Sequence, residues 1–145
     1  MTMTKTILSR FLVMAIVAFA LLGAVAHAGR ITVENTTNVT ILMAFKFYDY
    51  ARKDWVVCGW YSVPARETKY WNFNVAPDRK IYWYGKTHDG KRHWPGQGDH
   101  GQSIIYKQMS CIKATSLKTY ADAKVVQFRT RDPDGDGNLR ITLSW

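Results

Sequence analysis

The chain has 145 residues, 47% hydrophobic and 21% charged. That suits one domain with a packed core, and it excludes a large multidomain enzyme, a coiled coil and a polytopic membrane protein. Twenty Lys and Arg against 11 Asp and Glu give +9 at pH 7, and aromatics reach 14%, so anionic partners and stacking surfaces are the first features to look for.

The first 28 residues read as an address. Lys5 and Arg10 make a positive start, Phe11 to Val25 is apolar and uncharged, and Ala26-His27-Ala28 puts small residues where a signal peptidase cuts. The apolar run is 15 residues, short of the roughly 20 that span a bilayer. A cleaved secretory signal over 1–28 is therefore expected, with residues 29–145 as one domain in the periplasm or outside the cell, without stable membrane insertion. That part keeps 18 Lys and Arg against 11 Asp and Glu, a net +7. Cys58 and Cys111 are the only cysteines, and an oxidising compartment predicts that they pair. A bridge closing 54 residues is worth about 4 kcal/mol by chain-entropy arithmetic.

Beyond the signal the dominant period is two, the period of strands. Arg30–Glu34 is a short strand, and Asn35-Thr36-Thr37-Asn38 is a turn in which Asn35 and Asn38 both head N-x-T sequons. Val39–Tyr48 alternates, with Ile41, Met43, Phe45 and Phe47 on one face. Trp55–Val63 is a strand ended by Pro64-Ala65-Arg66-Glu67. In Thr68–Ala76, Trp71, Phe73 and Val75 share a face opposite Tyr70, Asn72 and Asn74. Lys80–Tyr84 is a further strand, and Gly85–Gln102 is a long polar loop with five Gly and the three His that follow the signal. Ser103–Lys107 resumes a strand, and Gln108–Ala123 reads as a helical turn or a short strand near Cys111. Ala123–Thr130 and Leu139–Trp145 are strands around the tight turn Asp132–Asn138. About eight strands with regular turns and little helix predict an antiparallel β-sandwich or barrel, stapled by one disulfide.

Three constellations could carry chemistry. Asp132, Asp134, Asp136 and Asn138 alternate with Gly at 135 and 137, like the start of a calcium loop. Leu143 stands where the closing Glu of such a loop belongs, so a Gly-rich β-turn competes with a weak calcium site. His88, His93 and His100 could gather round zinc in a metal-dependent hydrolase, but their spacing matches no compact zinc motif. There is no nucleophile elbow and no phosphate loop, so nothing argues for an enzyme or a cofactor. The third constellation is aromatic. Trp60 and Tyr61 lie on opposite faces of one strand, and Trp94 follows Lys91, Arg92 and His93 in the polar loop. Trp60, Tyr61, Lys91, Arg92, His93 and Trp94 are the expected binding residues, with rings for stacking and cations for anions. No basic helix or nucleic-acid motif is present, so DNA and RNA are not the expected partners.

The run Gly59-Trp60-Tyr61-Ser62-Val63-Pro64-Ala65-Arg66-Glu67 resembles the GW(W/Y)xxxPxE motif of small secreted bacterial domains of unknown function, the family numbered ten thirty-six. Ile31–Thr40 is similar to that family's start, as is Ile81–Gly85 with Trp94 and Gly96 downstream. The resemblance implies an exported all-β domain and supplies no activity. The expectation is thus a non-catalytic binding domain for a cell-envelope glycan or anionic polymer. An inhibitor or immunity-type protein that binds an envelope-directed enzyme is the alternative, and the metal-dependent hydrolase the second.

Overall fold

The structure, a computed structural model, describes residues 28–96, 102–105 and 110–145. The expected signal segment before Ala28, His100, and Tyr106 and Lys107 of one expected strand lie outside them. The described residues form strands β1 (Gly29–Asn35), β2 (Ile41–Asp49), β3 (Asp54–Val63), β4 (Thr68–Phe73), β5 (Ile81–Thr87), β6 (His93–Trp94), β7 (Gln102–Ile105), β8 (Ile112–Lys113), β9 (Lys124–Gln127), β10 (Arg129–Arg131) and β11 (Leu139–Leu143). One 3-10 turn covers Ser116–Thr119. Two sheets pack as a sandwich. The smaller has the order β11-β1-β4, the larger β10-β5-β2-β3-β8, and β6 adds to β5. A ribbon of β7 and β9 forms a third layer.

The alternation seen in β2 sets the core. Ile41, Met43, Phe45 and Phe47 are essentially inaccessible, and they face Ile31 and Val33 of β1 and Ile141 and Leu143 of β11. Burying each such side chain contributes about 1.5–3 kcal/mol. Trp71 and Phe73 of β4 close the layer, with the Phe47 and Phe73 rings 4.9 Å apart. On the other face of the large sheet, Ala44, Val57 and Tyr84 pack with Ile105, Phe128 and Val126 beneath the ribbon. Cys58 and Cys111 are bonded, which ties β3 to the segment entering β8. Asn35 is a buried knot. Its amide nitrogen donates to the carbonyls of Val39, Val63 and Pro64, and its oxygen accepts from the Thr37 backbone and hydroxyl.

The structure departs from the sequence reading in three places. Among the described residues there are eleven strands rather than about eight: Phe128 turns inward and splits one expected strand into β9 and β10, and the two-residue strands β6 and β8 are added. The sandwich is not wholly antiparallel: β11 runs parallel to β1, pairing Ile31 with Leu139 and Asn35 with Leu143. Periodicity shows which face a residue takes but not the direction of its neighbour. The expected loop from Gly85 instead extends β5 to Thr87 and returns as β6, with Gly85 opposite Trp94. The stretch before Ala123, expected to hold a helical turn or a short strand near Cys111, holds both β8 and the 3-10 turn.

Candidate functional site

Near the GW motif the β2–β3 register shifts between Met43 and Phe45, so Met43 faces Tyr61 and Phe45 faces Cys58. Gly59 and Trp60 together oppose Ala44, a β-bulge that re-aims the side chains around it. Trp60 therefore lies on the outer face of the large sheet, edge-on to Tyr84 at 6.1 Å. Tyr61 returns to the core side among Phe45, Trp71 and Phe73, with centroids 5.8, 5.0 and 5.7 Å away. Burial pushes the Tyr61 phenol above the usual tyrosine range. The expected Trp60–Tyr61 patch is thus divided: one ring faces outward and the other joins the sheets.

The same division splits His93 and Trp94. His93 is exposed and its Nδ1 meets the Tyr84 hydroxyl on the outer face. Trp94 turns the other way, stacks on Trp145 at 5.5 Å, and donates from Nε1 to the Ser144 carbonyl. Arg92 covers the Trp145 ring at 4.4 Å, while Lys91 pairs with Asp89 at 3.9 Å. Of the expected binding residues, Trp60 and His93 share a face, Arg92 and Trp94 share Trp145, and Tyr61 belongs to neither group.

The outer face carries residues that the sequence reading did not combine. Lys46 lies opposite Tyr82 in the β2–β5 register, and its ammonium stands 5.8 Å from the Trp55 ring and 5.4 Å from the Tyr82 ring. Burial lowers the Lys46 pKa from the ordinary lysine value. Trp55 and Tyr82 meet edge-on at 5.8 Å and, with Lys46, Ala114 and Thr115, line a cleft of about 380 Å³. Asp54 also lines it but pairs with Lys113 at 3.4 Å. Arg79 covers Tyr48 at 4.5 Å, and Tyr48 meets Trp55 at 5.9 Å. Lys86 covers Trp60 at 4.3 Å, and its pKa is lowered by burial and then by the Lys124 charge. The available signal was the off-core alternation of Lys46 with Tyr48 and of Tyr82 with Tyr84 and Lys86.

In all, six cations (Arg30, Lys46, Arg79, Lys86, Arg92 and Arg129) sit over aromatic rings. A chain of this size ordinarily has about one or two such contacts. None of the six is ion-paired to a carboxylate among the described residues, whose ion pairs use Arg52, Lys69, Lys91, Lys113 and Arg140. Among the described residues their charge is held in place without a carboxylate to neutralise it.

The remaining sequence candidates are placed differently. Asp134 spends its carboxylate on its own turn: Oδ1 accepts from the backbone of Asp136 and Asn138, and Oδ2 accepts from the Asn138 amide. These bonds hold its carboxyl below the usual carboxylate range. Asn138 Oδ1 accepts from the Arg30 backbone at 2.9 Å, and Gly137 takes the positive φ of 77° that the turn requires. Among the described residues no group of three His, Cys, Asp or Glu side chains converges to hold a metal, Asp132, Asp134 and Asp136 included. His88 and His93 are exposed. Among the described residues no helix is long and apolar enough to cross a membrane.

The fold and this surface define a class, the disulfide-stapled β-sandwich with a cationic and aromatic outer face. No family model, curated protein or solved structure matches the chain.

Proposed function

We propose that the protein is an exported, non-catalytic binding domain whose outer sheet face takes an anionic polymer of the cell envelope, an acidic glycan first of all. The observation that carries this reading is Lys46, Arg79 and Lys86, seated on rings of that face and ion-paired to no carboxylate among the described residues. A ring offers a sugar an apolar face, and a cation beside it attracts the sugar's acidic group. Lys46, Tyr82 and Thr130 lie in one cross-strand row. Two interstrand steps make that row about 10 Å long, room for a short stretch of a linear ligand lying across the strands. Export is supported by the signal-like first 28 residues and by the disulfide.

Co-sedimentation of the purified protein with cell-wall sacculi across a salt series tests the reading. Pelleting that persists above about 0.15 M salt, and is lost in Trp60→Ala and Trp55→Ala, supports aromatic recognition of a glycan. Pelleting that disappears by that salt concentration means that net charge alone was responsible. No pelleting at any salt overturns the glycan reading.

A further inference from the structure

A second site lies at the open side of the sandwich, away from Trp60. Trp83 of β5 is 4% exposed, and its indole N–H is shielded from solvent with no acceptor among the described residues. Trp83 lines two cavities. One, of about 720 Å³, also takes in Lys80, Tyr82 and Phe128. The other, of about 240 Å³, reaches Trp94 and Thr142. Arg129 and Arg131 line both cavities, and among the described residues no Asp or Glu lines either.

The two arginines stand at alternate positions of β10, so they project to the same face about 7 Å apart. They pair across the sheet with Trp83 and Ile81. Arg129 lies over the Trp83 ring at 5.4 Å and uses Nε on the Pro95 carbonyl at 3.0 Å, leaving its terminal nitrogens for another acceptor. Arg131 is exposed and has no ion pair among the described residues. The backbone holds this corner firmly: a Cβ on Gly96 would overlap the Phe128 carbonyl, and the Gly96 N–H donates to Gln127.

We infer that Arg129, Arg131 and the Trp83 indole N–H form a binding site for an oxyanion, a carboxylate or a phosphate or sulfate group. Two guanidinium forks on one face suit planar or tetrahedral oxygens. The indole N–H supplies a neutral donor whose missing partner is a ligand oxygen. That oxygen reaches it as the exposed Arg129 side chain turns aside from the ring. The site shares Tyr82 and Thr130 at its rim with the Lys46 row, but Trp83 and Arg131 belong to the opposite side of the large sheet, and the inference does not depend on the glycan reading.

The test is a 15N-indole NMR titration of the full protein, with the Trp83 cross-peak assigned through Trp83→Phe. The probes are inorganic phosphate, inorganic sulfate and a glucuronate-containing oligosaccharide, each against chloride at equal ionic strength. A saturable shift of the Trp83 peak, weakened about tenfold or more in Arg131→Gln and unchanged in Lys46→Met, supports the site. Saturation by phosphate or sulfate alone identifies a tetrahedral anion, and tighter saturation by the oligosaccharide identifies a sugar carboxylate. The five other indole peaks report whether each variant is folded. A Trp83 peak unmoved by all three probes, or equal affinity in folded Arg131→Gln, overturns the inference.

Discussion

The Lys86 ammonium stands 4.3 Å from the centre of the Trp60 ring, and the bulge at Gly59–Trp60 brings them to the same face. Without the extra residue, strict alternation would exchange the faces of Trp60 and Tyr61 relative to Cys58. The bulge therefore separates two jobs within one dipeptide. Trp60→Ala is expected to lower affinity for an acidic glycan at least tenfold in a protein that still folds. Tyr61→Ala is expected to cost about 3 kcal/mol of stability by urea denaturation, with unchanged affinity in the folded fraction. Equal loss of binding in the two variants would contradict this separation.

Lys46 makes a prediction about pH. Its folded pKa lies below the unfolded 10.5, so between the two values the unfolded chain binds more protons. Stability contributed by this group thus rises as pH climbs through its folded pKa toward 10.5. Tyr61 and Tyr84 act oppositely: their folded pKa values lie above 10.0, and their contribution falls as pH rises through the folded values. Comparing wild type with Lys46→Met at each pH isolates the lysine. The variant is expected to be the more stable at pH 7, with the difference shrinking toward pH 10.5, and to bind acidic glycan more weakly. A difference in melting temperature that is constant with pH would count against a desolvated Lys46.

Asn35 predicts stability. Asn35→Ala removes a side chain that joins three carbonyls and the Thr37 hydroxyl in the interior, with an expected loss of about 3 kcal/mol. Asn38 is exposed, and Asn38→Ala is expected to change stability by less than about 0.5 kcal/mol. Denaturant midpoints of the two variants provide the check.

Asp134 ties its turn through hydrogen bonds to its charged form. Its folded pKa is depressed, so its contribution is fully present above 3.8 and is lost as pH falls through the folded value. Asp134→Ala is expected to lower the melting temperature at pH 7 and to have less effect at pH 2. Asp132→Ala and Asp136→Ala are expected to have little effect at either pH. Adding 5 mM calcium, about ten times the dissociation constant of a weak extracellular site, tests the ion directly. A rise in melting temperature that Asp132→Ala and Asp136→Ala both remove would restore the calcium loop.

Much of the sandwich was legible because its signal is local. Ile41 through Phe47, and Trp71 with Phe73, show the buried faces by alternation alone, and two cysteines leave one pairing. The site was only half legible. Trp60 and His93 do share a surface, but neither the bulge that sends Tyr61 inward nor the Trp145 that receives Trp94 has a sequence signal. Lys46 was missed because a lysine between apolar neighbours reads as an ordinary solvent-facing residue. Its placement between Trp55 and Tyr82 depends on the order β5-β2-β3, which is a long-range property. Arg129 and Arg131 likewise have no sequence signal as a pair beside Trp83, since cavities are not periodic.

The parallel pairing of β1 with β11 also governs when the fold can close. Ile31 finds Leu139 only when the last strand exists, and the Arg30 backbone is bonded to an Asn138 side chain 108 residues away. During synthesis β1 can gain β4 early, but one of its edges stays bare until nearly the whole chain has been made. Contacts this distant in sequence form slowly. Completion of the smaller sheet therefore waits for Leu139–Leu143, and every earlier stage leaves the Ile31 edge open to other pairings.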